Sequence, residues 1–420
     1  MTNKKILYLA VYYAPMNVVP TFRNLKLSKY LSRNCFKQYI FTMDIDINVN
    51  LELNKEIPKD AVVYRKKIRL PEVKFLSALN VRENLFSKIK YMIKDLFFSP
   101  DRFIWWVISY LPAMIKVIRK EQIELIYVGG RPPSSSFIGG YFLKKICKTK
   151  LILDFHDPWK TAPINLQQSC VRRFFDSFWE KLCVKNADLI TVCTDSVMLE
   201  LKQNYNLKAN IVKIANGYDP EDFYATNKIK PVESEYLFLY AGKYSIKDNE
   251  YNPSMIISAF MTFLEKHKAT DCTLFLVGLT DDETMRFIDN QKTQNIKCKG
   301  LVSKQEVVLL QSQADCFIHF HYPNAITDRM SLKICEYAIS NKPILSFNEK
   351  KGEAFDFIQS NMFGETVNNN ELDEMVDLFF RAYNNEIKIC DNPKERLKDF
   401  EWGNIAITLS ENLSKLTESM

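Results

Sequence analysis

Short apolar runs alternate with amphipathic helical stretches along almost the whole chain, and that alternation restricts the fold more than any single residue does. In the first half the runs predict strands at Ile6–Tyr13, Gln38–Thr42, Ala61–Tyr64, Leu125–Val128, Leu151–Phe155, Leu189–Cys193 and Ile211–Ile214. In the second half they predict strands at Tyr236–Tyr240, Thr273–Val277, Ile296–Lys299, Cys316–His319 and Pro343–Phe347. Strands separated by helices pair in parallel, and parallel sheets are covered by those helices, so the expected class is α/β. Several runs are followed by Gly, Pro, Asn or Asp, the residues that let a strand turn into a helix.

A chain of 420 residues exceeds what one hydrophobic core usually serves. The polar stretch Asp222–Glu235, with Asn227, Lys228, Lys230 and Pro231, separates two similar β/α series. The expected division is 1–222 for a first Rossmann-like domain, 223–398 for a second, and 399–420 for a closing helix that crosses back to the first. Two doubly wound units facing each other place a cleft at the carboxyl ends of both sheets, where open α/β folds bind ligands.

Hydrophobic residues make up 47% and charged residues 25%, which excludes wholesale disorder. The ten cysteines include no CxxC pair and no zinc or iron–sulfur spacing, and no secretory leader precedes Ile6–Tyr13. Free thiols in a reducing cytoplasm are the expectation. A net charge of +7 fits anionic phospholipid or a nucleotide diphosphate as well as nucleic acid. No RNP, zinc-finger or helix-turn-helix pattern is present, so nucleic acid is not an expected partner.

The segment Phe86–Lys120 has an apolar, aromatic centre from Phe103 through Ile115, ringed by Lys88, Lys90, Lys94, Arg102, Lys116, Arg119 and Lys120. It is shorter than the about 20 residues that span a bilayer, and Pro112 interrupts it. Two readings stand. One is a core helix packed beneath a basic face, the commoner arrangement in large domains. The other is a surface resting on the bilayer, with Trp105 and Trp106 at headgroup level.

A set of short segments in a fixed order then carries a family resemblance. These are Tyr13-Ala-Pro with Arg23 and Leu27-Ser-Lys-Tyr-Leu31; Leu151-Ile-Leu-Asp-Phe-His-Asp-Pro-Trp159; Ala187-Asp-Leu-Ile-Thr-Val; and Asn216-Gly-Tyr-Asp219 before Phe223. They continue with Tyr240-Ala-Gly-Lys243, Leu276-Val-Gly278, Gly300-Leu-Val-Ser303, Gln313-Ala-Asp315, Ser331-Leu-Lys-Ile-Cys-Glu-Tyr337 and Asn341-Lys-Pro-Ile344. Together they resemble retaining glycosyltransferases of the GT-B fold, in the group that builds bacterial capsules, O-antigens and related glycans. The D-F-[RH]-D-P-W and K-x-x-E-Y segments are the most specific. The first loop lacks the paired glycines common in that group.

The resemblance implies two Rossmann-like domains facing across a cleft, the first on the acceptor side and the second binding a nucleotide-sugar donor. It implies a lipid-linked or polysaccharide acceptor and an enzyme at the inner face of the plasma membrane. It also implies no bound metal or other cofactor, so helix N-termini and basic side chains must meet the diphosphate. Lys243, after Gly242, and Lys247 are the candidate cations, with Arg329 as a further one. Ser331 and Leu332 open the helix of the K-x-x-E-Y segment and present backbone N–H groups. Glu336 is implied to accept from the ribose hydroxyls. Asp328 stands eight residues earlier, where the group has a glutamate that holds donor-sugar hydroxyls. His156 is implied to orient the sugar or acceptor, with Asp157 as an alternative acid/base; Asp154 is expected to brace the loop. His319 and His321, at i and i+2, suggest metal only superficially, because no third ligand is near in sequence. Two other functions are carried beside transfer: a sugar-nucleotide epimerase of related shape, and a degenerate transferase that only binds.

Overall fold

The computed structural model describes residues 4–44, 49–67, 99–130, 134–161, 170–223, 235–291, 293–321, 331–348, 352–368 and 370–418. The chain divides into two compact units, Met1–Ala215 with Trp402–Met420, and Asn216–Glu401. The first division therefore falls ahead of the polar stretch Asp222–Glu235. Each unit is an α/β layer of its own.

The first unit holds strands β1 (Lys4–Leu9), β2 (Phe36–Asp44), β3 (Val62–Lys67), β4 (Leu125–Val128), β5 (Lys150–Phe155), β6 (Leu189–Val192) and β7 (Asn210–Lys213). They lie in the order β3-β2-β1-β4-β5-β6-β7, and every neighbouring pair is parallel. Central strands buried on both faces must be apolar at every position rather than at alternate ones. Leu125-Ile-Tyr-Val128 is such a run, buried throughout. The edge strands β3 and β7 read Val-Val-Tyr-Arg-Lys-Lys and Asn-Ile-Val-Lys.

Helices α1 (Val19–Arg33), α2 (Ile104–Glu121), α3 (Ser135–Cys147), α4 (Cys170–Asn186) and α5 (Asp195–Asn204) cover this sheet. Helix α2 contains most of the aromatic segment discussed above. It buries Trp106, Val107, Tyr110, Met114 and Ile118, a stripe at helical spacing, and leaves Trp105 and Ile108 partly exposed. Residues 86–98 of that segment lie outside the described residues.

Strand β1 ends at Leu9, short of the Tyr13 end expected from hydropathy. Ala10–Ala14 is apolar because it is a packed loop: Ala10, Val11, Tyr13 and Ala14 are buried, and the Tyr13 hydroxyl donates to Ser28 Oγ at 2.8 Å. Burial, which hydropathy reports, does not distinguish a covered loop from a strand.

The carboxyl edge of the first sheet is fixed by one buried ion pair. Arg23 of α1 donates to both oxygens of Asp154, the penultimate residue of β5, at 3.0 and 2.9 Å. The same guanidinium donates to the carbonyls of Ile214 and Ala215, at 2.7 and 3.1 Å, just after β7. Thr191 of β6 adds a donor to Asp154 at 2.8 Å. Both charged side chains are within 1% of complete burial. Burial by itself would raise the Asp154 carboxyl, yet Arg23 and Thr191 hold it below the usual carboxylate range. One side chain thus ties α1 to β5, β6 and the end of β7.

The second unit repeats the plan with β8 (Tyr236–Ala241), β9 (Cys272–Val277), β10 (Ile296–Lys299), β11 (Cys316–His321), β12 (Ile344–Asn348) and β13 (Gly364–Asn368). The order is β10-β9-β8-β11-β12-β13, again parallel throughout. Its helices are α6 (Ser254–His267), α7 (Asp282–Asp289), α8 (Lys304–Gln313), α9 (Leu332–Ile339), α10 (Glu353–Ser360) and α11 (Leu372–Tyr383). Strand β13 was not expected from sequence: Gly-Glu-Thr-Val-Asn carries one strongly apolar residue, because it is an edge strand and only half-buried. Helix α12 (Trp402–Glu418) belongs to the first unit and packs on α1. None of the ten cysteines forms a disulfide.

Removing one member of a buried pair leaves an uncompensated charge. Arg23→Leu should therefore cost about 3–5 kcal/mol, and Arg23→Leu with Asp154→Leu should recover much of that, both read from urea unfolding by circular dichroism. The depressed Asp154 carboxyl stabilises the fold above its unfolded value of about pH 4. That contribution is lost as pH falls through the lowered folded value, so Asp154→Asn should flatten the acid limb of the stability profile.

Candidate functional site

Strand order in the second unit reverses between β8 and β11, and the carboxyl ends on either side of such a switch point are where ligands settle in this kind of sheet. Three segments meet there: the end of β8 with Gly242 and Lys243, the end of β9 with Gly278, and the start of α9.

Helix α9 owes its orientation to its apolar positions. Ile334, Cys335, Tyr337 and Ala338 are buried against the strands. Tyr337 stacks on Phe317 of β11 with centroids 4.2 Å apart and planes 6° from parallel. Its hydroxyl accepts from the Ala241 backbone N–H at 2.8 Å and lies 3.3 Å from the Ala241 carbonyl. This fastens the helix to the last residue of β8. Lys333 and Glu336, three apart, are left on the less buried stripe.

Ser331 is the N-cap of α9, in extended conformation, and its side chain makes no capping hydrogen bond. The first-turn amides, including those of Leu332 and Lys333, have no capping acceptor from that side chain. A helix end in this condition attracts an anion.

Lys333 itself was not singled out from sequence. Its ammonium sits over the Tyr240 ring, 4.0 Å from the centroid, and a Cβ added to Gly242 would fall 2.4 Å from it. Among the described residues it makes no hydrogen bond or ion pair. Burial pushes its amine down to about 7, against the pull of the Glu336 carboxylate. Gly278, at φ +137°, brings β9 close, since a Cβ there would meet the Gly242 carbonyl at 2.0 Å. Two glycines thus let the backbone crowd around a lysine head whose strongest described neighbours are a ring face and one carboxylate.

The two lysines expected to meet a diphosphate are engaged elsewhere. Lys243 pairs with Asp248 and lies 5.6 Å from the Tyr251 ring centroid; Lys247 pairs with Glu283 of α7. Both line an open cleft of about 270 Å³ with Tyr244, Ser245, Leu279, Thr280 and Asp281. In the structure Lys243 is paired within its own loop and Lys247 with the helix that follows β9. Asp328 and Arg329 lie outside the described residues.

His319 is buried, with Nδ1 2.9 Å from Ser346 Oγ and Asn348 Nδ2 at 3.5 Å. That makes it a hydrogen-bonded link between β11 and β12.

In the first unit His156 and Asp157 follow β5 directly, two and three residues beyond the Arg23–Asp154 pair. His156 Nδ1 is 3.7 Å from Asp157 Oδ2, and both side chains are mostly shielded, at 18% and 15% exposure. The sequence reading brought these two together, and the structure places them at the carboxyl edge of their sheet.

Residues 72–222 match the family model described as Glycosyltransferase Family 4. The match covers His156, Asp157 and the whole of α2 to α5. No curated protein matches the chain. Solved structures resemble it over nearly its full length. Sucrose-phosphate synthase from Thermosynechococcus elongatus superposes with a TM-score of 0.65 at 16% identity, covering 99% of this chain and 100% of its own. Anabaena HepE, solved with UDP and glucose, gives 0.64 at 14%, covering 98% and 99%. WaaG, described as a glycosyltransferase involved in lipopolysaccharide biosynthesis, gives 0.62 at 11%, covering 97% and 98%. At these identities the likeness establishes the fold: two Rossmann-like, parallel-sheet domains of GT-B type.

Lys333 lay within the K-x-x-E-Y segment, so the signal for it was present. A lysine at that spacing reads as a solvated helix residue until Gly242 and Tyr240 are seen beside it. Gly242→Ala should displace the lysine head, since the far end of a flexible side chain gives way more easily than backbone. In lysine-selective NMR the Lys333 amine should titrate near about 7 in the parent. It should move upward, toward ordinary lysine behaviour, in the alanine variant.

Proposed function

We propose that this chain is a retaining, metal-independent glycosyltransferase that moves a sugar from a nucleotide-sugar donor to a lipid-linked or polysaccharide acceptor in bacterial surface glycan synthesis. The observation that carries the reading is the corner of β8 and α9. There a helix N-terminus without a side-chain cap, a lysine head over Tyr240 and a carboxylate one turn on stand together at the switch point. The family match over residues 72–222 supports transfer over epimerisation, and the order of motifs supports the donor assignment.

In this reading the diphosphate lies against the first turn of α9, with Ser331 and Leu332 giving backbone N–H groups and Lys333 the mobile charge. Charge that develops on the departing phosphate is met by the first-turn N–H groups, which the helix orients in advance of the step. Glu336 accepts from the ribose hydroxyls. Lys243 and Lys247 contribute by exchanging Asp248 and Glu283 for phosphate. Asp328 and Arg329 are assigned to the donor sugar and phosphate respectively. His156 orients the sugar or acceptor, and Asp157 is the candidate acid/base.

Purified protein given nucleotide sugars and an acceptor extract should release nucleoside diphosphate, and Glu336→Ala should abolish the release. Formation of an epimerised donor without acceptor would instead select the epimerase, and binding without turnover the degenerate transferase. Lys333→Met should lower kcat by about 10²–10³-fold, as loss of one preorganised charge donor does. Since the free amine is held near about 7 and a bound phosphate favours its charged form, binding should take up a proton above that pH. Affinity for a nucleoside diphosphate should then fall as pH rises past 7, approaching about tenfold per unit. Calorimetry in buffers of different ionisation enthalpy measures the uptake, and Lys333→Met should remove it.

A further inference from the structure

Helix α4 buries charge and exposes aromatics. Arg172, Asp176 and Glu180, spaced by four, are buried at 3%, 2% and 1% exposure, beside Cys183 and Val184 at 0% and 1%. Val171, Phe174, Phe175 and Phe178 point outward, at 40%, 68%, 39% and 50%. Helical spacing places these four on one stripe, with Leu182 continuing it. Phe174 and Phe175 meet edge to face at 5.8 Å, and Phe178 meets Trp179 at 5.4 Å. Three exposed phenylalanines over two turns form a contiguous apolar patch, the kind of surface that marks an interaction site.

Among the described residues, the exposed charges of α4 and of the helix beside it have one sign. Both acids of α4 are buried, so its exposed charged side chains are Arg173, Lys181 and Lys185. The neighbouring α3 adds exposed Lys145 and Lys148, with Ile146 exposed between them. Phe142 of α3 touches Trp179 at 6.2 Å, so the two helices form one surface.

We propose that this face of α4 seats the protein on an anionic lipid bilayer. The phenylalanines enter the acyl boundary while the lysines reach back to the phosphates. A second copy of the chain fits less well, because a two-fold contact would set the same basic ring against itself. No described helix is long and apolar enough to cross a membrane, and α4 lies along the surface instead. The inference is independent of the transferase reading, and it concerns a helix other than the aromatic one, α2.

The test is co-sedimentation of the full chain with vesicles of phosphatidylglycerol mixed into phosphatidylcholine, against phosphatidylcholine alone. The protein should pellet with the mixed vesicles and much less with the neutral ones. Lys181→Gln and Lys185→Gln should each weaken binding about fivefold, and Phe174→Ser with Phe178→Ser by at least about tenfold. All variants should melt as the parent does, because the altered side chains are exposed. Absence of binding, equal binding to neutral vesicles, or variants that bind as the parent does would each overturn the proposal. So would a dimer in analytical ultracentrifugation that Phe178→Ser disperses, which would give the face to a second copy.

Discussion

In both units every strand runs the same way as its neighbours, so each connection must leave at the carboxyl edge and travel back along a helix before the next strand starts. Chemistry in such a fold collects at one edge, and that edge has to be held still. In the first unit Arg23 does this by binding Asp154 together with the chain ends that follow β7. In the second the Tyr337 hydroxyl does it, joining α9 to the last residue of β8. The two devices differ in cost. A buried ion pair must recover a large desolvation penalty through geometry, which explains why Arg23 is surrounded by acceptors. A tyrosine bridge has only one hydroxyl to satisfy, and its ring contributes apolar contact with Phe317.

Much of this architecture was legible because the strands are buried on both faces and therefore continuous in hydropathy. Leu125–Val128, buried at every position, begins and ends as the sequence suggests. The pattern failed where burial and strand geometry part company. Ala10–Ala14 is apolar and buried without being a strand, and Gly364–Asn368 is a strand without being apolar. The candidate residues stand where their segments suggest: His156 and Asp157 just after β5, and Lys243 and Lys247 after β8, where they pair with Asp248 and Glu283. Lys333 was less legible. Its environment is made by Tyr240 and Gly242, roughly ninety residues away in the chain, and no local pattern reports that.

The Lys333 environment combines two opposing demands on a cation. A carboxylate hydrogen bond would keep it charged but would compete with any incoming anion. A purely apolar setting would discharge it. The face of Tyr240 and the more distant Glu336 lie between these extremes, because a ring quadrupole attracts an ammonium without accepting a directed hydrogen bond. The ammonium thus retains its three donors for a group that arrives later.

The four outermost strands point to a different kind of selection. β3, β7, β10 and β13 are short, from four to six residues, and each carries charged or amide side chains: Arg65 to Lys67, Asn210 and Lys213, Lys297 and Lys299, Glu365 and Asn368. An open parallel sheet ends in unpaired backbone groups that recruit further strands. Brief, charged borders deny a neighbouring chain a flat, dry edge to zip onto. That property would keep the chain dispersed during the slow pairing that parallel topologies require.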